Sequence, residues 1–169
     1  MFRISGPSRS LRRYDDGLYA AGWIDDGHPA GFATGGMAVQ HFAVGGMTAM
    51  ALARAGVPLS MVTQGEYSNS VAASAGTHSG GGVVDIAAGP GNGPAMVARL
   101  RAAGFAAWLR TPAEGFSYHI HACAIGDREI ASGAARQVQS YFNGRNGLAN
   151  NAADPFERRW PNWADKYNQ

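Results

Sequence analysis

Two short motifs bring together residue types that bind transition metals. In the first, THSGGGVVDI, His78 precedes Asp85 by seven residues, and three glycines lie between them. Glycine adopts positive φ readily, so the chain can fold back and turn a loop imidazole toward a carboxylate on the adjoining strand. In the second motif, SYHIHAC, His119 and His121 stand two residues apart. On a strand they share one face, because alternate side chains point to the same side.

This set of side chains fits zinc. Zinc binds neutral imidazole nitrogen and carboxylate oxygen, and its catalytic sites usually combine three protein ligands with one open position. His78, Asp85 and one histidine of the His-x-His pair supply three ligands, which leaves the other histidine near the open position. Cys123, on the same strand face, is an alternative fourth ligand that would make the zinc structural. The motifs therefore predict a zinc site, either catalytic or structural.

The predicted elements place both motifs in one sheet. Apolar periodicity and glycine or proline boundaries predict helices over 47–55 and 94–103, and a third helix with Ser132 as its N-cap and Gly144 as its stop. Strands are predicted over 59–63, 83–87, 105–109 and 116–125, with Tyr118, Ile120 and Ala122 facing a core. The short link between the last two strands indicates antiparallel pairing. We therefore expect an α+β fold, a small antiparallel sheet flanked by helices.

The charge, the cysteine count and the distribution of apolar residues exclude several classes of protein. The 169 residues carry a net charge of only +2 without a basic stripe, which argues against nucleic-acid binding. One cysteine excludes an intrachain disulfide. No run approaches the roughly 20 apolar residues of a membrane span, and the N-terminus has no apolar core typical of a secretory signal. We therefore expect a chain made in the cytoplasm, which would act elsewhere only if another factor released it.

Three regions are expected along the chain. Residues 1–44 are predicted to form an irregular arm packed on the domain, and residues 45–145 carry both motifs. Residues 146–169 read as a polar tail. Its Trp160 and Trp163 fit either a sugar-stacking patch or a tail docked on its own domain.

The two motifs together resemble a known group of proteins. THSGGGVVDI followed by a strand His-x-His is similar to the zinc peptidases related to lysostaphin, the D-Ala-D-Ala carboxypeptidases and the hedgehog signalling domain. In the carboxypeptidase branch the first motif reads His, two residues, Gly, three residues, Asp, which His78, Gly81 and Asp85 match. The resemblance covers about residues 45–145. It implies a hedgehog/DD-peptidase-like fold and one Zn²⁺ held by His78, Asp85 and His121.

The resemblance also implies an activity and its candidate residues. The expected function is a zinc metallopeptidase, a carboxypeptidase or an endopeptidase, that cleaves stem or cross-bridge peptides of bacterial peptidoglycan. With that function, the chain would reach the cell wall after release, in phage lysis or from a virion. Tyr118 occupies the position of the usual acidic base of the carboxypeptidase branch. The lysostaphin-like branch places the first histidine of the pair beside the metal water, which is His119 here, and Glu114 is a second candidate base. The alternative is a non-catalytic zinc-stabilised module, either wall-binding or part of a phage structure.

Four residues are candidates for substrate binding. Gln64 and Tyr67 lie where the carboxypeptidase branch carries its substrate-side loop, whose arginine has no clear counterpart here. Trp108 ends a strand that leads to the predicted active-site loop, and it fits a groove or the core equally well. Tyr118, beside the histidine pair, is the fourth.

Overall fold

The structure is a computed structural model that describes residues 13–14, 17–18, 44–69 and 71–168. The chain divides into two compact units, Met1–Gly36 and Met37–Gln169. In the first unit the described residues form two short antiparallel strands, β1 (Arg13–Tyr14) and β2 (Gly17–Leu18). Most of the predicted arm over 1–44 lies outside the described residues.

The described residues of the second unit form one antiparallel sheet and three helices. Four strands, in the spatial order β3-β4-β6-β5, form the sheet: β3 (Val62–Gln64), β4 (Val83–Ala87), β5 (Phe105–Arg110) and β6 (His119–Ala124). The helices are α1 (Gly46–Arg54), α2 (Gly93–Ala103) and α3 (Ser132–Phe142). Short 3-10 turns span Leu59–Met61, Ala72–Ser74, Thr77–Ser79, Pro112–Glu114 and Asn162–Tyr167. The predicted α+β fold with a small antiparallel sheet is confirmed.

The sheet is covered on both faces, so most residues of its central strands β4 and β6 and all residues of β5 are buried. Leu52 of α1 and Leu100 of α2 pack with Ile86 and Ile120 on one face. On the other face, α3 and the C-terminal residues pack over the side chains that alternate with these. Asp85, His119 and His121 also lie on this second face, because successive residues of a strand point to opposite sides of the sheet. The polar residues of both motifs on the sheet therefore lie on the face that α3 covers.

Several predicted boundaries differ from the structure. Strand β6 begins at His119 rather than at residue 116, because the Pro112–Glu114 turn and the left-handed Gly115 keep the chain irregular up to that point. Tyr118 therefore lies outside the strand and is exposed, so the prediction that it faces a core is wrong. The first sheet strand covers 62–64 instead of 59–63. Helix α3 begins at Ser132 and its N-cap is Ala131, so the prediction of Ser132 as the N-cap is wrong by one residue.

The C-terminal residues pack on α2 and α3 of the same unit. The Arg101 guanidinium, fully buried on α2, lies 2.5 Å from a carboxylate oxygen of Asp154 and donates to the carbonyl of Glu157. Trp160 packs edge-on against Tyr141 and Phe142 of α3. Docking of the tail therefore accounts for Trp160, whereas Trp163 remains partly exposed. Among the described residues, no helix combines the length and the apolar character that crossing a bilayer requires.

Candidate metal centre

Three side chains from three separate elements converge on the α3 face of the sheet. His78 comes from the 3-10 turn Thr77–Ser79, Asp85 from the middle of β4 and His121 from the middle of β6. One potential ligand atom from each lies within 4.8 Å of the others. Asp85 Oδ1 is 3.4 Å from His78 Nε2 and 2.9 Å from His121 Nδ1. This buried group can hold a metal ion.

The sheet register sets the relation between two of the three ligands. Strands β4 and β6 pair directly, and Asp85 is the cross-strand partner of His121. Side chains of directly opposed residues lie about 5 Å apart on the same face, which is close enough for one ion to contact both. The prediction that the two motifs lie side by side in one sheet is thus confirmed.

A tight loop brings the third ligand to this pair. Gly82, just before β4, has φ +77°, a conformation that side chains other than glycine rarely adopt, and its N–H donates to the carboxylate of Glu66. His78 Nδ1 donates to the carbonyl of Gly65, 3.0 Å away. That bond leaves His78 Nε2 as the acceptor nitrogen, and this buried atom has no hydrogen-bond partner. A cation between Nε2 and Asp85 would satisfy it.

A neighbouring glutamine contacts the side of the His121 ring that faces away from Asp85. Gln137 on α3 donates through Nε2 to the carbonyl of Gly147, so its Oε1 faces His121 Nε2 at 2.9 Å. On the opposite side of the ring, His121 Nδ1 lies 2.9 Å from Asp85 Oδ1. With a metal ion on Nδ1, the ring hydrogen would be on Nε2 and Gln137 Oε1 would accept it. His78 Nε2 and His121 Nδ1 therefore both face the Asp85 carboxylate.

The electrostatics of the group suit a cation. Burial by itself would raise the pKa of Asp85, but the adjacent His121 and His78 hold that pKa well below its usual range. Burial lowers the pKa of His121, and the charge of Arg110 lowers it further against the opposing effect of Asp85. An ionised carboxylate and a neutral imidazole are the protonation states in which these side chains bind metals.

His119 lies at the edge of the group. Its Nδ1 donates to the carbonyl of Ser117 at 2.8 Å, which leaves Nε2 as an acceptor. That nitrogen is 3.9 Å from Asp85 Oδ1, and the side chain retains 19% of its exposure. His119 thus presents a basic nitrogen to the triad from the solvent side.

Cys123 is not placed to act as a fourth metal ligand, because it lies near His121 Nε2 and the metal group is on the Nδ1 side of the ring. Its Sγ is 3.5 Å from His121 Nε2, the nitrogen that bonds Gln137, and it packs in the hydrophobic cluster under α3. Burial raises the pKa of the Cys123 thiol, which disfavours the thiolate that binds metals. The structural four-ligand alternative gains no support from this position.

The two predicted substrate-loop residues have different surroundings. Gln64 is buried at the end of β3 and accepts a hydrogen bond from Ser74 Oγ, whereas its Nε2 has no partner. Tyr67 is 55% exposed, has φ +54°, and donates its hydroxyl to Glu129. That hydrogen bond is the main reason why the pKa of Tyr67 is raised to about 12. Tyr67 therefore stays protonated and accessible near the glycine loop.

Trp108 and Glu114, the two other predicted residues, do not face the metal group as free side chains. Trp108 is buried against Tyr141, donates Nε1–H to the carbonyl of Arg145, and its ring stacks on that of His121 at 6.3 Å between centroids. Trp108 therefore packs against the His121 ring and is not accessible to a substrate from solvent. Glu114 Oε2 accepts bonds from the amide and the hydroxyl of Thr111 in a capping box, so its carboxylate is already engaged.

Three polar residues beside the site were not predicted: the buried Glu66 and Arg110, and the partly buried Gln137. Glu66 accepts hydrogen bonds from Gly45 N–H, Thr48 Oγ1 and Gly82 N–H. Gln137 bonds His121, and Arg110, only 2% exposed, lies over the Trp108 ring and donates to the carbonyl of Asn146. The sequence offers one signal for such residues: Arg110 directly follows the apolar stretch FAAWL, which indicates a charged side chain at the end of a buried strand.

Comparison with protein-family models, with curated proteins and with solved structures found no match to this chain.

Proposed function

We propose that the protein is a zinc-dependent metallopeptidase that cleaves peptide bonds in bacterial peptidoglycan. The observation that carries the proposal is the convergence of His78 Nε2 and His121 Nδ1 on the Asp85 carboxylate. Two neutral imidazoles and one carboxylate form a ligand set of the His₂-carboxylate type, which catalytic zinc sites use with a fourth position left open.

Bound zinc would supply a Lewis acid that polarises a scissile carbonyl and acidifies water. The chain itself supplies the base. His119 Nε2, an acceptor because Nδ1 donates to Ser117, faces the triad from the partly exposed side and can take a proton from an attacking water. After transfer, the nearby ionised Asp85 carboxylate stabilises the imidazolium.

The choice of a peptide substrate rests on the similarity of the two motifs to zinc peptidases that act on cell walls. Tyr67 supports it, because the exposed phenol beside the glycine loop gives its hydrogen to Glu129 and its oxygen can still accept from a substrate N–H. Its positive φ adds support, since strained backbone conformations concentrate at binding sites.

A zinc-stabilised module without catalysis is the second candidate. One observation favours it: the Glu114 carboxylate is engaged in its capping box, and the usual acidic position is the exposed Tyr118. In that case His119 would have no proton to take, and zinc would serve only the stability of the loop–sheet junction.

Digestion of purified cell walls separates the two candidates. The wild type, loaded with about one equivalent of zinc per chain, is incubated with walls of several peptide chemistries, and new amino termini are identified by mass spectrometry. We expect new termini from the wild type and none from Asp85→Ala. Zinc-loaded wild type that releases no termini from any wall would refute the peptidase and leave the module. A chain that does not bind zinc would refute both.

A further inference from the structure

A surface depression lies where the C-terminal ends of α1 and α2 meet the C-terminal segment of the chain. Its volume is about 330 Å³, and it is lined by Arg54, Arg99, Ala102, Ala103, Pro161 and Trp163. Ligand pockets typically begin near this size and combine an apolar or aromatic wall with a few polar groups. The elements that form the depression carry none of the ligands of the metal group. It is therefore a candidate for a second, separate binding site.

Trp163 forms a fixed aromatic wall of this depression. Gly104, which ends α2 with φ +103°, has no side chain, and a Cβ there would lie 2.5 Å from Trp163 Cζ2. The indole therefore packs against the backbone of Gly104, while 41% of Trp163 stays exposed. Trp160 and Ala164 anchor the segment on either side, Trp160 by its ring contacts with α3 and Ala164 by its burial. A ring held in this way binds a ligand with little loss of conformational freedom.

The charge and the size of the other side chains limit the kind of ligand. The described residues that line the depression include two arginines and no carboxylate, which disfavours a cation on the indole. Arg99 is exposed on α2, so its guanidinium can reach a ligand. Ala102, Ala103 and Pro161 are small and leave room beside the ring. The lining suits a ring-shaped ligand that has one apolar face and oxygen acceptors at its edge.

A sugar ring has this combination. The C–H groups on one face of a pyranose stack on the electron-rich face of an aromatic ring, and its oxygens accept hydrogen bonds from a guanidinium. A nucleobase also stacks on tryptophan, but binding of single-stranded nucleic acid adds a positively charged groove along the phosphates. The chain has a net charge of only +2 without a basic stripe. The observations therefore favour a glycan over a nucleic acid.

We propose that this depression binds the glycan strand of peptidoglycan, with a pyranose ring stacked on Trp163 and with Arg99 as a donor to its oxygens. The inference rests on the proposed function for the choice of glycan, because the wall peptides are attached to such strands. A contact with the glycan in addition to the metal group raises the overall affinity for the wall, since the second binding event becomes intramolecular.

Binding of chitotetraose, a soluble oligomer of N-acetylglucosamine, tests this inference without any cleavage. Calorimetry gives the Kd, and ¹H–¹⁵N spectra report the indole N–H of Trp163, whose signal is identified by its loss in Trp163→Phe. The other variants are Trp163→Ala, which removes the ring, and Arg99→Met, which removes the donor at similar length. Met47→Ala is the matched control, because Met47 is apolar, is 42% exposed and lies outside the depression.

We expect chitotetraose to bind the wild type and Met47→Ala with the same Kd and to shift the Trp163 indole signal. Trp163→Ala should weaken binding by about 10-fold or more, and Arg99→Met by about 3- to 10-fold. Absence of binding to the wild type, or an equal Kd in folded Trp163→Ala, would overturn the proposal. If Trp163→Ala does not fold, the wild-type spectrum decides, and an unshifted Trp163 signal at saturation would overturn it.

Two further outcomes separate this inference from its neighbours. Oligothymidylate that binds through Trp163 in place of chitotetraose would overturn the glycan and identify a nucleic-acid site. Release of amino termini from walls by a protein that does not bind chitotetraose would refute this inference alone. Glycan binding by a zinc-loaded protein that releases no termini would support this inference and refute only the proposed peptidase.

Discussion

Asp85 and His121 are cross-strand partners on β4 and β6, with Asp85 Oδ1 2.9 Å from His121 Nδ1. The sheet, rather than a flexible loop, thus fixes the distance between two of the three ligands. Sites on regular elements are held more precisely than sites on loops. Only His78 depends on a loop, and Gly65 and Glu66 hold that loop through hydrogen bonds to His78 and Gly82.

Zinc should stabilise the fold through this group. A ligand that binds only the native state stabilises it by about 2.7 kcal/mol at 100 times its Kd. We expect zinc to raise the Tm of the chelator-treated wild type, and the effect to disappear in Asp85→Asn, which has a similar shape but no charge. Differential scanning calorimetry over a zinc series measures this. An equal rise of Tm in Asp85→Asn would show that zinc binds elsewhere.

The phenol of Tyr67 should titrate at unusually high pH. Its hydrogen bond to Glu129 raises the pKa to about 12, so the stabilisation from this bond is complete below about 10, the ordinary value, and is lost as the pH rises through about 12. Glu129→Gln should bring the pKa back toward 10. The difference in tyrosinate absorbance between each protein and its Tyr67→Phe counterpart isolates this residue. A pKa near 10 in the wild type would contradict the bond.

The chemistry-bearing part of the site follows from local sequence rules. Alternation on a strand places His119 and His121 on one face, and the glycines before Asp85 indicate a loop that folds back toward it. Both rules involve residues close together in the chain. The assignment of Tyr118 to the strand failed because the turn at Pro112–Glu114 and Gly115 delays the start of β6.

The residues that support the site could not be predicted. Their hydrogen-bond partners are either far away in the sequence or are backbone groups, which every residue carries. Gln137 meets His121 across 16 residues and Gly147 through a backbone carbonyl. Glu66 binds two backbone N–H groups and one hydroxyl, which leave no signature in the sequence. Arg101 meets Asp154 53 residues away. Such contacts are products of packing and become visible only in the folded chain.

Loss of Arg101 should destabilise the second unit strongly. The guanidinium is fully buried between Asp154 and two backbone carbonyls, and removing one partner of a buried ion pair typically costs about 3–5 kcal/mol. We expect Arg101→Met to lower the free energy of unfolding by that amount in urea titrations. Arg99→Met, at an exposed position of the same helix, should change it by less than about 0.5 kcal/mol. Equal effects of the two variants would contradict this role.

Glu66 should couple helix α1 to metal binding. Its buried carboxylate accepts from Gly45 N–H and Thr48 Oγ1 at the start of α1 and from Gly82 N–H in the loop that carries His78. Glu66→Ala leaves these donors buried without a partner, at about 1–3 kcal/mol each. We expect a lower Tm and a weaker zinc affinity in Glu66→Ala. Thr48→Val removes a single donor, so it should lower the Tm less and leave the zinc Kd nearly unchanged.

His119 and Glu114 are separable as the proton acceptor of the proposed reaction. His119 Nε2 faces Asp85 Oδ1 at 3.9 Å, whereas the Glu114 carboxylate caps the turn at Thr111. We expect His119→Ala to retain zinc and to lower kcat on wall peptides by about 10²- to 10⁴-fold, the usual contribution of a general base. Glu114→Gln keeps an oxygen acceptor for the cap and should retain most of kcat. The opposite ranking, with zinc bound in both variants, would assign the base to Glu114. Full activity in both would mean that neither side chain accepts the proton.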